Sequence, residues 1–127
     1  EPNKDIHVDL GKKAGAPQCS SITAEISPHF RPEAWTRLAT DKEIHDLLAD
    51  DPVRFTGQLY FDASHVPCSP GKKVSPPRAS IWEIHPVYAI EVSTGTTIAG
   101  CQASNAASMW KPFHEWVEEL DQETEEK

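Results

Sequence analysis

Residues 53–62 read VRFTGQLYFD and residues 81–92 read IWEIHPVYAIEV, and this pair of runs decides the fold. In the first, Val53, Phe55, Gly57, Leu59 and Phe61 fall on one side, with Arg54, Thr56, Gln58, Tyr60 and Asp62 on the other. Alternation with a period of two, carried by aromatic and β-branched residues, predicts a half-buried strand. In the second, Trp82, Ile84, Tyr88, Ile90 and Val92 share a side. Glu83, His85 and Glu91 share the opposite one with Ile81, Val87 and Ala89. Pro86 has no N–H to give to a ladder, so this strand is expected at a sheet edge, or bulged or bent there. Between the runs lies ASHVPCSPGKKVSPPRAS, residues 63–80. Its prolines and Gly71 exclude regular structure, and a loop of that length inside a compact domain is often functional.

Working outward, residues 19–26 (CSSITAEI) alternate again and predict another strand, with Ser21, Thr23 and Glu25 opposite Ile22, Ala24 and Ile26. Pro28 and Pro32 keep His29, Phe30 and Arg31 extended. Pro32 then opens a short helix through Leu38. Thr40 and Glu43 have capping-box spacing, and Ile44, Leu47 and Leu48 form one apolar stripe, so a helix follows that covers the sheet. Asp50-Asp51-Pro52 ends it. After the second run, residues 93–96 read as a turn and 97–101 as a short strand. From Asn105 the pattern is helical. Met109, Trp110, Phe113, Trp116, Val117 and Leu120 recur at three and four, and Pro112 fits the first turn of a helix whose body starts near Lys111. Residues 1–18 carry few apolar side chains, and despite DIHVDL they are expected to be a loose arm. The expected organisation is an arm at 1–18, one domain at 19–120 and an acidic tail at 121–127. The fold class is mainly β with α, having one covering helix and a C-terminal amphipathic helix.

The chain has 127 residues, of which 38% are hydrophobic and 25% charged, which suits one globular domain. Its net charge of −8 argues against a broad nucleic-acid surface, which needs clustered Lys and Arg. No run of about 18 apolar residues is present, so no membrane-spanning helix is expected. A first residue other than Met reads as a start trimmed either by processing or by design; processing would fit a secreted or periplasmic location with the signal peptide removed, and the compartment stays open. Cys19, Cys68 and Cys101 cannot all pair within one chain. One bridge with one thiol and three reduced thiols both fit that count.

Three histidines stand beside proline: His29 in SPHFRP, His65 in SHVPC and His85 in WEIHP. Strand ends of a small sheet converge on one rim, so these three are expected to meet, with Arg31, Arg78, Asp62 and Glu83 joining them. Glu83 and His85, two apart on a strand, point the same way and form a carboxylate–imidazole pair. Three chemistries follow. His29, His65 and His85 would hold zinc with a position left for water. Arg31 and Arg78, with Asp62, would line a site for a small anionic ligand through charge-assisted hydrogen bonds. His85 would act as a general base oriented by Glu83. Each residue also has a structural reading, in particular a buried salt bridge of Arg78 with Glu83 or Asp62. If the site is functional, Glu83→Gln should disturb ligand binding more than folding.

At AEISPHFRPEAW, VRFTGQLYFDASHVPC and PPRASIWEIHPVYAIEV the chain resembles a group of mostly uncharacterised bacterial proteins that carry a WEIHPV-type signature. The resemblance runs over roughly residues 20–92 and rests on WEIHP with the upstream GQLYFD and SH. It implies a small OB-like β-barrel, and it brings no activity with it. Barrels of that type bind oligonucleotides and oligosaccharides on one sheet face. Two functions from different classes follow: a module that binds a small anionic ligand or another protein, and a hydrolase, metal-assisted or His/Glu-driven, acting on a phosphoester.

Overall fold

The computed structural model describes residues 5–13, 15–29, 31–71, 74–93 and 109–125. Among them the architecture is mixed α/β, an open five-stranded sheet with three helices. The strands are β1 (Ile6–Leu10), β2 (Ile22–Ile26), β3 (Val53–Phe61), β4 (Trp82–Ser93) and β5 (Trp110–Pro112). The helices are α1 (Arg37–Thr40), α2 (Lys42–Ala49) and α3 (Phe113–Glu125). The strand order is β1-β2-β4-β3, with β5 also on β4. The strand expected at 97–101, the helical residues expected from Asn105 to Ser108, and Cys101 lie outside the described residues. Among the described residues no helix is long and apolar enough to cross a membrane.

Residues 6–10, expected within a loose arm, form β1. Their five residues pair antiparallel with β2, from Ile6 with Ile26 to Leu10 with Ile22. The segment is a weak strand by itself, and the adjacent β2 completes its hydrogen bonds. Ile6 buries against the core there.

β4 is an interior strand, so of the expectations raised by Pro86 the edge position does not hold. It pairs with β2 in parallel at Ala24 and Ile84, and with β5 in antiparallel sense at 91–93. Pro86 falls between those two pairings. The buried positions change phase past it, from Glu83 and Val87 to Ile90 and Val92. Trp82 and Tyr88, expected on the apolar side, are exposed. β3 lies at the end of the strand order, and its residues 58–61 are exposed on both faces instead of alternating. Gly57 is required in β3: a Cβ on it would stand 2.4 Å from Pro86 O and 2.6 Å from Ile84 Cγ2.

The chain divides into two compact units, with the division falling inside β3 and β4. The first holds residues 1–30 and 56–88. Its core is Ile6, Ala24, Ile26 and Val87, with the polar Ser21, Thr23, Arg78 and Glu83 also buried. The loop at 63–80 is tied down three ways. Cys68 forms a disulfide with Cys19, the Cys68 N–H donates to Arg78 O at 2.8 Å, and the Ala79 N–H donates to Ser21 O at 2.9 Å.

The second unit, residues 31–55 and 89–127, buries Trp35, Leu38, Ile44, Leu48, Ile90, Val92, Phe113 and Val117. The N-cap of α2 is Asp41, not Thr40. Asp41 sits in the extended region and accepts from the Ile44 N–H at 3.2 Å, while the Thr40 hydroxyl donates back to Thr36 O. Arg37 fixes Asp41 from the preceding turn, with Nη2 2.7 Å from Oδ2. That guanidinium, aided by the Ile44 N–H, holds the Asp41 carboxyl below its usual range. Arg37 also reaches Asp121 of α3 at 2.8 Å. α3 begins at Phe113, two residues later than expected, because Trp110–Pro112 pair with Glu91–Ser93 as β5. Arg54 is bidentate on Glu91 at 2.9 Å and lies 4.4 Å over the Trp110 ring.

Candidate functional site

The first unit carries two polar groups, each built from strand residues and the segments beside them and each containing a histidine. In each, one His and two carboxylates place a ligand atom within 4.8 Å of one another: Asp62, His65 and Glu83 in one, Asp5, Glu25 and His85 in the other.

The first group forms where β3 ends and β4 begins. The Asp62 N–H donates to Ile81 O at 2.9 Å, which fixes the end of the strand pair. The chain then turns on the Asp62 carboxylate, which accepts from the Ser64 N–H at 3.0 Å and from the Ser64 hydroxyl at 2.5 Å. This Asx turn brings His65 back, and its Nδ1 donates to Asp62 Oδ2 at 2.5 Å. The Ser64 bond, with help from His65 and against the effect of burial, lowers the Asp62 carboxyl to about 2. Arg78 enters from the loop. Its Nη1 is 2.6 Å from Glu83 Oε2 and 3.8 Å from Asp62 Oδ2. Arg78 and Glu83 are each 1% exposed. An unpaired charge at that depth is very costly, so the pair holds as a unit. Arg78 Nε and Glu83 Oε1 have no hydrogen-bond partner.

The second group spans three neighbouring strands. His7 stands opposite Glu25 in the β1–β2 register, and Ala24 opposite Ile84 brings His85 of β4 beside Glu25 of β2. His7 Nε2 contacts Glu25 Oε1. Glu25 Oε2 is 2.8 Å from His85 Nδ1, and Asp5 Oδ2 is 3.7 Å from His85 Nε2. The Tyr60 ring meets the His85 imidazole edge-on at 5.2 Å between centroids.

The structure therefore brings together Asp62, His65, Arg78 and Glu83. It sets His85 with Glu25 and Asp5, so the carboxylate on His85 is Glu25, while Glu83 is engaged by Arg78. His29 is exposed in the turn after β2, where its N–H donates to Ser27 Oγ, and it belongs to neither group. Arg31 lies in the second unit. Of the side chains that complete these groups, sequence reading passed over Asp5, His7 and Glu25. Alternation in residues 19–26 had already put Glu25 on a polar strand face; the neighbouring strands that bring His7 and His85 to it come from pairing. The Asp62–His65 contact follows from an Asx turn that the spacing of the two residues allows.

Among the described residues of this unit, the rings of Tyr60, Phe61, Trp82 and Tyr88 lie exposed. Phe61 and Trp82 pack edge to face at 4.9 Å, and the Tyr88 hydroxyl donates to Gln58 Oε1 at 3.1 Å. No family model, curated protein or solved structure matches this chain.

Proposed function

We propose that this chain is a binding module, taking a small ligand or a protein partner on the exposed rings and imidazoles of its first unit. The observation that carries this reading is the set Tyr60, Trp82 and Tyr88, left exposed on β3 and β4 although each is large enough to fill a core. Exposed aromatic side chains mark binding sites, and here Tyr60 lies against His85 while Trp82 lies against Phe61. His65 belongs to the same unit, and with Nδ1 taken by Asp62 it has Nε2 left to offer a ligand. An OB-like barrel of the WEIHPV-type group is the fold we propose for the complete module, in keeping with sheet-face binding. The Cys19–Cys68 bridge supports an oxidising location, secreted or periplasmic. Arg78, buried and charge-paired with Glu83, is a poor anion hook, so ligand charge is read by imidazole instead.

The test is a nuclear magnetic resonance screen of the labelled chain against small ring compounds, inorganic phosphate and short oligosaccharides. Binding should move the indole signal of Trp82 and the imidazole signals of His65 and His85. Shifts confined to residues of the second unit would remove the proposal.

The Asp62–His65 contact favours a second reading, a hydrolase acting on a phosphoester. A carboxylate on Nδ1 orients an imidazole so that Nε2 works as a general base. Hydrolysis of p-nitrophenyl phosphate lost in His65→Ala would support it, and equal background rates in the two proteins would dismiss it.

A further inference from the structure

We infer that the cluster of Asp5, Glu25 and His85 is a binding site for a divalent transition-metal ion, with zinc the best fit, and that His7 positions Glu25 for it. The inference is independent of the ligand-binding reading above.

The two His–carboxylate groups of this unit differ in charge. The Asp62 group has its own cation: the Arg78 guanidinium stands 2.6 Å from Glu83 and 3.8 Å from Asp62. A metal there would have to displace a buried, paired arginine. Among the described residues the Asp5 group has none. Among the described residues, the recorded ion-pair contacts of Asp5 and Glu25 are to His7 and His85, not to Lys or Arg. Two carboxylates therefore flank one imidazole, Glu25 at Nδ1 and Asp5 at Nε2, with no fixed positive charge among the described residues. Glu25 is only 12% exposed, so water screens its charge poorly. A bound cation would balance this arrangement.

The donor geometry points the same way. His85 Nδ1 is buried and has no hydrogen-bond partner, although Glu25 Oε2 is 2.8 Å away. The ring N–H direction and the carboxylate are misaligned for a hydrogen bond. Groups that ligate a common ion face the ion and not each other. One imidazole nitrogen with carboxylate oxygens is a zinc donor set, with ligand distances near about 2.0–2.2 Å and a further position for water.

The surroundings hold the ligands still. Glu25 uses Oε1 toward His7, its cross-strand partner, which leaves Oε2 for the metal. Metal-bound carboxylates are commonly held by such a neighbour. Tyr60 packs against the edge of the His85 ring and limits its rotation. Asp5 precedes β1, Glu25 is in β2 and His85 is in β4, so the ion would fasten three neighbouring strands.

The experiment uses the full chain stripped with chelator and titrated with zinc, followed by calorimetry and thermal melting. One zinc per chain and a melting temperature that rises with zinc are expected. Asp5→Asn, at the exposed start of β1 where folding is little affected, should weaken binding at least about tenfold, and His7→Ala by about 10–100-fold. His85→Ala should abolish it. His65→Ala, in the group that holds Arg78, should bind zinc as the parent does. The inference is overturned if the parent shows no saturable 1:1 binding. It is equally overturned if Asp5→Asn keeps the parent's affinity, or if His65→Ala loses it while folded by circular dichroism.

Discussion

Arg78 Nη1 and Glu83 Oε2 are 2.6 Å apart inside the first unit, with each side chain 1% exposed. The pair joins the loop before β4 to the start of β4 and so ties it to Asp62 at the end of β3. This burial reverses the expectation that Glu83→Gln would act on ligand binding more than on folding. Removing one partner leaves the other charge buried and uncompensated. Arg78→Ala is expected to cost about 3–5 kcal/mol. Glu83→Gln, which keeps shape and an acceptor, should cost about 1–3 kcal/mol. Urea denaturation of both variants measures this, and stability equal to the parent in either would show the pair to be dispensable.

The disulfide closes a loop over a sequence separation of 49 residues between Cys19 and Cys68. Restricting the unfolded chain by that much is worth about 4 kcal/mol in the loop-entropy account. Denaturation midpoints with and without reductant should differ accordingly. Thiol titration of the unfolded chain should count one thiol before reduction and three after, the third being Cys101. Three thiols before reduction would rule out the bridge.

Gly57→Ala tests the close approach of β3 to β4. The added methyl meets Pro86 O at 2.4 Å and Ile84 Cγ2 at 2.6 Å, and the oxygen belongs to backbone that cannot swing aside. Overpacking of this kind costs about 1–3 kcal/mol. A lower melting temperature is expected, and an unchanged one would mean that the strands stand further apart.

Much of the secondary structure was legible from period alone. β2, β3, β4, α2 and α3 follow from alternation or from repeats at three and four. What periodicity could not supply was pairing. β1 looks like part of a polar arm until β2 is placed beside it, and Pro86 alone cannot say whether β4 is at an edge or is bulged or bent until β2 and β5 are placed on it. The exposed end of β3 has the same origin, because alternation names two faces and only the strand order says whether either is covered. At the candidate site, Arg78 with Glu83 was readable as a salt bridge five residues apart. The Glu25–His85 contact joins residues sixty positions apart by number, and only the parallel β2–β4 register creates it.

The cap of α2 separates two residues that sequence reading could confuse. Asp41 accepts the Ile44 N–H and also pairs with Arg37, whereas Thr40 bonds only back to the preceding turn. Asp41→Ala should lower the melting temperature, because the Ile44 N–H loses its cap. Thr40→Ala should stay within about 0.5 kcal/mol of the parent. Thermal melts of the two variants decide it, and the reverse order would return the cap to Thr40.

The lowered Asp62 carboxyl gives a pH dependence with a defined sign. Ser64 and His65 bind its ionised form, which brings it to about 2 from an unfolded value of about 3.9. A depressed acid stabilises the fold above its unfolded value, because there the unfolded chain and the native one are both ionised and only the native one has the partners. That contribution is fully present at neutral pH. It fades as pH falls from about 4 toward about 2, where the unfolded chain takes up the proton first. Asp62→Asn cannot ionise, so its stability should fall less steeply than the parent's across that window. Ser64→Ala should behave in between, since the Ser64 hydroxyl is the largest cause of the shift. Denaturant titrations at successive pH values read this directly, and parallel curves for parent and Asp62→Asn between pH 4 and pH 2 would show that the turn does not hold the carboxylate as its geometry indicates.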